Sequence, residues 1–204
     1  MKFPNDIMII VPAKKKSQRL KSKNIKKLNN RHLIEYTFDN IRQIGAQKQA
    51  FLTSDSELAL SLAVKYGIST VTRPKELSKA SSKIEDALIH LLKKVDYKKF
   101  DYKWILLLQP TSPLRDKRSI QMALDYFEKY KKKVDTILSV TSFKEDLWSY
   151  KDGFLNRVFT KMPRMQQLRK NLFFENGMIY LFKINNLIKN KKIFTKKKYW
   201  VLDR

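Results

Sequence analysis

Residues 7–24 read IMIIVPAKKKSQRLKSKN. Five apolar side chains in a row, Ile7 to Val11, stop at Pro12. A run without polar alternation fits a strand covered on both faces, as in a parallel sheet. Behind it come five Lys, one Arg, Ser17, Ser22 and Asn24. Ligands of open α/β sheets sit beyond the carboxyl ends of the strands, so this loop stands where a ligand would be held. Its charge suits three uses: holding a triphosphate, gripping nucleic acid, or simply being solvated.

The pattern around this stretch alternates between strand and helix. Residues 32–44 place Leu33, Ile34, Phe38, Ile41 and Ile44 at helical spacing before Gly45, and 49–53 (QAFLT) reads as a strand. Ser54 and Glu57 form the outer positions of a capping box, which predicts Ser54 as the N-cap of a helix ending at Gly67. Strands follow at 68–72, 104–109 (WILLLQ), 136–140 and 178–182, and helices at 84–95 and 118–130. This predicts one α/β domain with a mostly parallel sheet and right-handed crossovers. Residues 142–175 hold aromatics without a clean period and read as a small subdomain or arm.

Composition narrows the function classes. The formal net charge is +25 with no cysteine, so disulfides, thiolate metal sites and cysteine nucleophiles are excluded. The basic residues are spread along the whole chain, which favours a solvated surface over a nucleic-acid partner. The longest apolar runs are far below the ~20 residues of a membrane span. The N-terminus has no secretory pattern. A soluble protein of the cytoplasm with no membrane partner is expected. His32 and His90 lack Cys or carboxylate partners at ligand spacing and receive no metal or base role.

A second strand-end segment stands out, Gln109-Pro110-Thr111-Ser112-Pro113-Leu114-Arg115. Prolines fix the backbone on both sides of two hydroxyls, a rigid polar turn suited either to ligand contact or to starting a helix, with Asp116 as its N-cap. Neither this turn nor the basic loop has the glycines of a Walker loop or a dinucleotide fingerprint.

Taken in order, PAKKKSQRLKSKN (12–24), TSDSE (53–57), RPKEL (73–77), LLLQPTSPLR (106–115) and ENGMIYLF (175–182) resemble the CMP-sialic acid synthetases, the acylneuraminate and nonulosonate cytidylyltransferases. The resemblance runs over nearly the whole chain and is most specific in LLQPTSPLR. It implies a Rossmann-like nucleotidyltransferase fold and transfer of CMP from CTP to the anomeric hydroxyl of a nonulosonic acid, with pyrophosphate released and Mg²⁺ as cofactor.

By that resemblance Lys14 and Lys23 act on the phosphates, the latter neutralising charge as the hydroxyl attacks the α-phosphorus. Ser17, Arg19, Asn24, Arg73 and Ser82 bind the nucleotide. Gln109, Arg164, Gln166 and Tyr180 face the sugar, Arg164 and Gln166 from a dimerisation arm over 142–175 that implies a homodimer. Many members carry Arg-Gly-Gly where this chain has Lys14, Lys15 and Lys16, which implies a weaker grip on triphosphate. A strand like KKYWVLDR (197–204) leads in the family into an acidic segment that holds Mg²⁺, then a final helix. The 204 residues stop before both, so protein ligands for Mg²⁺ are expected to be missing. A catalytically weak nucleotide-binding homologue is the alternative, and a basic nucleic-acid-binding protein a more distant one.

Overall fold

The computed structural model describes residues 3–16, 20, 22–142, 148–158, 173–194 and 198–202. The run that opens the sequence is strand β1 (Ile7–Ala13), and all of its residues but Pro12 are buried. Next come a small antiparallel hairpin, β2 (Lys27–Leu28) and β3 (Arg31–His32), then helix α1 (Leu33–Gln43). The hairpin turns on Asn29 and Asn30, both at positive φ. Asn tolerates that region better than most residues.

Strand β4 (Ala50–Ser54), helix α2 (Glu57–Lys65), strand β5 (Ser69–Thr72) and helix α3 (Ile84–Val95) continue the alternation. Strand β6 (Trp104–Leu107), helix α4 (Lys117–Tyr130) and strand β7 (Thr136–Ser142) follow. The described chain closes with hairpin β8 (Trp148–Lys151) and β9 (Phe154–Arg157), the long β10 (Phe173–Lys183), helix α5 (Ile184–Asn190) and β11 (Lys198–Leu202).

Seven strands form one sheet in the order β11-β7-β10-β6-β1-β4-β5. β10 runs antiparallel to both neighbours, and the other pairs are parallel. This is the mostly parallel α/β sheet that the sequence predicts, with one reversed strand in its middle. β1 shows why the fold is two-sided: Ile7, Ile9 and Val11 pack with Phe38 and Ile41 of α1 and with Leu124 and Phe127 of α4. Met8 and Ile10 pack on the other face with Leu88, Leu91 and Leu92 of α3 and Leu187 of α5. Phe127 is fully buried with its ring edge-on to Trp104 at 5.1 Å. Truncating such a side chain to Ala costs about 3–5 kcal/mol.

One sequence expectation is corrected by the structure. The N-cap of α2 is Ser56, whose hydroxyl accepts from the Ala59 N–H at 3.4 Å, and Glu57 is the first helical residue. Ser54 is instead the last residue of β4, donating its hydroxyl to the Ala13 carbonyl at 2.5 Å. The capping box of the fold lies elsewhere, at the start of α1. There His32 is the N-cap, its N–H donates to Glu35 at 2.7 Å and its ring Nδ1 lies 2.6 Å from the Ile25 carbonyl, so His32 has a structural task.

The stretch 142–175, read from the sequence as a small subdomain or arm, contains a regular hairpin. Asp152 and Gly153 form its turn at positive φ, the Asp-Gly signature of a two-residue hairpin. Residues 143–147 and 159–172 of that stretch lie outside the described residues.

Candidate active site

The carboxyl ends of β1, β4, β5 and β6 face the same side of the sheet, and each passes directly into a segment that carries polar side chains. The segments beyond β1, β5 and β6 enclose a cleft of about 190 Å³ lined by Lys14, Lys23 and Asn24, by Arg73, Ser82 and Lys83, and by Gln109, Pro110 and Thr111. Six residues singled out from the sequence therefore meet in one place: Lys14, Lys23, Asn24, Arg73, Ser82 and Gln109. Ser17, Arg19, Arg164 and Gln166 lie outside the described residues.

Lys14 follows the last residue of β1. Its carbonyl accepts from the buried Asn24 side chain at 3.0 Å, which folds the loop back on itself. Ser22 makes the return possible by standing in the left-handed region at φ 56°. The next peptide is held from outside the loop: the Lys15 N–H donates to Asp55 at 2.6 Å. Asp55 comes directly after β4, so the TSDSE stretch read as a helix cap also anchors the basic loop. The sequence offered no separate signal for that role, since Asp before a helix ordinarily reads as capping.

Arg73, directly after β5, is almost fully buried beside the cleft. Its Nε donates to the Thr53 hydroxyl at 3.3 Å and one terminal nitrogen to the Thr53 carbonyl at 3.0 Å. Burial pushes its pKa down from the ordinary arginine value, and the charge of Asp55 opposes that. The guanidinium thus stands fixed, with Thr53 taking one edge. Ser82 donates its hydroxyl to the Glu76 carbonyl at 2.8 Å.

Tyr180 is placed differently. It sits on β10 opposite Leu107, is buried among the side chains of the α3 face, and meets Phe194 edge-on at 5.7 Å. Burial, reinforced by the nearby Glu175 carboxylate, raises its phenol pKa. It is not among the residues that line the cleft.

The sequence profile of the cytidylyltransferases matches residues 8–201. The chain belongs to that family. It is similar, at 29% identity over 197 residues, to an N-acylneuraminate cytidylyltransferase of Streptococcus agalactiae serotype III, with 93% of this chain and 46% of the relative covered. The chain thus spans about half the length of that relative. It is also similar, at 28% identity over 193 residues, to a CMP-N,N'-diacetyllegionaminic acid synthase of Legionella pneumophila subsp. pneumophila, with 93% of this chain and 83% of the relative covered. Among solved structures, the fold is like that of a CMP:2-keto-3-deoxy-manno-octonic acid synthetase complexed with CTP, at TM-score 0.69, 12% identity, and coverage of 97% of this chain and 90% of that one.

In this cytidylyltransferase cleft the electrostatics favour an anion. Lys14, Lys23, Lys83 and Arg73 are cations, Asn24 and Gln109 are neutral, and no Asp or Glu is among the lining residues. Among the described residues no group of three or more His, Asp or Glu is arranged to hold a metal ion. Asp55, which anchors the basic loop, is engaged with the Lys15 N–H. The residues lining the described cleft therefore offer no carboxylate to hold Mg²⁺. Charge-assisted donors of this kind suit phosphate oxygens.

Proposed function

We propose that the protein transfers CMP from CTP to the anomeric hydroxyl of a nonulosonic acid, a sugar of the N-acetylneuraminate, legionaminate or pseudaminate type. The observation that carries the reading is the meeting, on one cleft, of cations from the ends of β1 and β5 with the amide of Gln109 beyond β6. The names of the relatives supply the substrate class. The hydroxyl oxygen attacks the α-phosphorus, the bond to the bridging oxygen breaks, pyrophosphate leaves with that oxygen, and the hydroxyl proton passes to solvent.

Lys23 and Lys14 compensate the negative charge on the phosphates as that bond breaks, with little rearrangement because their loop is folded by Asn24 and Asp55. Arg73 and Asn24 hold the nucleoside end, Ser82 borders it, and Gln109 meets the sugar. Ser17 and Arg19 complete the nucleotide loop, Tyr180 supports the sugar side from β10, and Arg164 and Gln166 reach the sugar carboxylate from a partner subunit. The product serves surface-glycan synthesis and is made in the cytoplasm, where CTP is available.

The assay is pyrophosphate release from CTP and Mg²⁺ with each of the three sugar types. Turnover with one of them is expected, and a folded protein that releases none with any of the three overturns the proposal. A second reading, nucleotide binding without turnover, is favoured by the lack of a carboxylate among the lining residues. Calorimetric CTP binding without pyrophosphate release supports it.

We infer a homodimer built on the β8–β9 hairpin. Tyr150, Phe154 and Leu155 are 75%, 72% and 67% exposed, and a two-stranded ribbon is marginal alone in water. Tyr150 and Leu155 are paired across it and share a face. Replacing both with Ser is expected to shift the sedimentation coefficient to that of a monomer.

A further inference from the structure

The QPTSPLR turn ends in the largest fully buried side chain described in the molecule, that of Arg115, which is 2% exposed. A buried arginine is ordinarily paired with a carboxylate, because an isolated ion out of water costs several kcal/mol. Arg115 has no such partner among the described residues. Its terminal nitrogens donate instead to the Gln109 carbonyl at 3.2 Å, the Met178 carbonyl at 2.8 Å and the Thr37 hydroxyl at 2.8 Å, while its Nε is left without a partner. Burial pushes its pKa down to about 9, so at neutral pH it remains a cation.

The three acceptors belong to three elements distant in sequence: the turn beyond β6, strand β10 and helix α1. All three converge where β10 departs from regular pairing. Its register shifts between Glu175 and Tyr180, with Gly177 at φ 76°. The bulge is held open by Asn176, which accepts from the Ser139 hydroxyl at 2.6 Å and donates to the Thr141 hydroxyl at 3.1 Å. It presents the Gly177 carbonyl to the Ser112 hydroxyl at 3.4 Å. An apolar residue would fill the site of Arg115 without the desolvation cost, but no apolar residue can satisfy three acceptors at once.

We propose that Arg115 is a positioning residue for the cleft, a buried cation that fixes the Gln109 wall through its main-chain carbonyl and so sets where the Gln109 amide meets the sugar. This deepens the proposed function and rests on it. Gln109 lines the cleft and Arg115 does not, so Arg115 acts only through the peptide it holds. The charged wall, carried on β1 and β5, is tethered separately.

Arg115→Lys keeps the charge but cannot reach all three acceptors, and Thr37→Val is the milder second variant, removing one acceptor with the guanidinium intact. Each should raise KM for the sugar, by about tenfold for Arg115→Lys, while KM for CTP moves by less than about twofold. In a Gln109→Ala background the same substitutions should add almost nothing to the sugar KM, since the residue they position is gone.

Amide exchange reads the tether without any substrate. The Ser112 and Arg115 N–H groups, bonded within the turn to the Gln109 and Ser112 carbonyls, should exchange at least about tenfold faster in Arg115→Lys. Those of Ile9 and Val11 in β1 should move no more than in Ile41→Val, a control that loosens the core away from the turn. A uniform rise in exchange, or equal effects on the sugar KM with and without Gln109, overturns the proposal and leaves Arg115 a core residue only. Absence of turnover in the unmodified protein sinks the functional reading alone, and the exchange pattern then decides the tether.

Discussion

The two walls of the cleft are built on opposite principles. The loop beyond β1 carries charge, with Lys15 and Lys16 exposed, and its described part is fastened by hydrogen bonds that include Asn24–Lys14 and Lys15–Asp55. The turn beyond β6 presents neutral groups to the cleft and is bolted from behind by Arg115, two prolines and the β10 bulge. Charge acts at a distance and tolerates some slack, whereas a hydrogen bond to one sugar oxygen does not. The difference teaches that the wall proposed for phosphate can act through charge, whereas the wall proposed for the sugar depends on where a neutral amide is placed.

The largest effect should come from stripping the charged wall. Lys23→Ala is expected to lower kcat/KM for CTP at least about a hundredfold, near 3 kcal/mol, because it removes a cation aimed at charge that develops in the reaction. The melting temperature should barely move, since Lys23 is only half-buried and lines the cleft. A loss of less than about threefold in pyrophosphate release would falsify its catalytic assignment.

Next comes the anchor of that wall. Asp55→Ala frees the Lys15 N–H and removes the carboxylate that offsets the burial of Arg73. CTP affinity by calorimetry should fall by about tenfold, in line with the ~1.5–3 kcal/mol of a charge-assisted hydrogen bond. An unchanged affinity means that the loop keeps its shape without Asp55.

Much of this contrast was legible before the fold was known, and the reason is local. β1 and β6 announce themselves as apolar runs, α3 is bounded in the sequence where the structure bounds it, and the residues just past strand ends converge because every parallel strand delivers its carboxyl end to one side. What was hidden depends on partners distant in sequence. Ser54 reads as the cap of α2 until the Ala13 carbonyl claims its hydroxyl and Ser56 takes the cap position. Arg115, at the end of a polar turn, looks like a ligand contact until Thr37 and Met178 enclose it. The reversal of β10 leaves no trace in its apolar pattern, because a strand covered on both faces reads the same in either direction.

The neutral wall can be loosened through its bulge. Gly177→Ala places a Cβ whose nearest neighbour is the Tyr180 hydroxyl at 3.9 Å, so the penalty is that of the φ of 76° alone. About 1–2 kcal/mol is expected, or roughly 2–8 °C in melting temperature for a chain of this size. The sugar KM should rise with it, since the Gly177 carbonyl braces the turn. A drop in stability with no change in the sugar KM separates the bulge from the site.

The smallest effect tests whether the turn also relies on the helix that follows it. Asp116 caps α4, its carboxylate accepting from the Ser119 N–H at 2.7 Å and from the Ser119 hydroxyl at 2.7 Å. These bonds, the backbone one first, hold its pKa below the ordinary aspartate value. The native state thus prefers the ionised form, and its contribution is present above the ordinary carboxylate pKa and fades as pH falls through the lowered one. Asp116→Ala should cost about 1 kcal/mol at neutral pH, the usual worth of an N-cap. Asp116→Asn caps as well but has no carboxyl to protonate, so it should match the unmodified protein at pH 7 and lose less stability in acid. Because α4 begins directly behind Arg115, a cap variant that altered the sugar KM as strongly as Arg115→Lys would show that the helix, rather than the buried cation, sets the neutral wall.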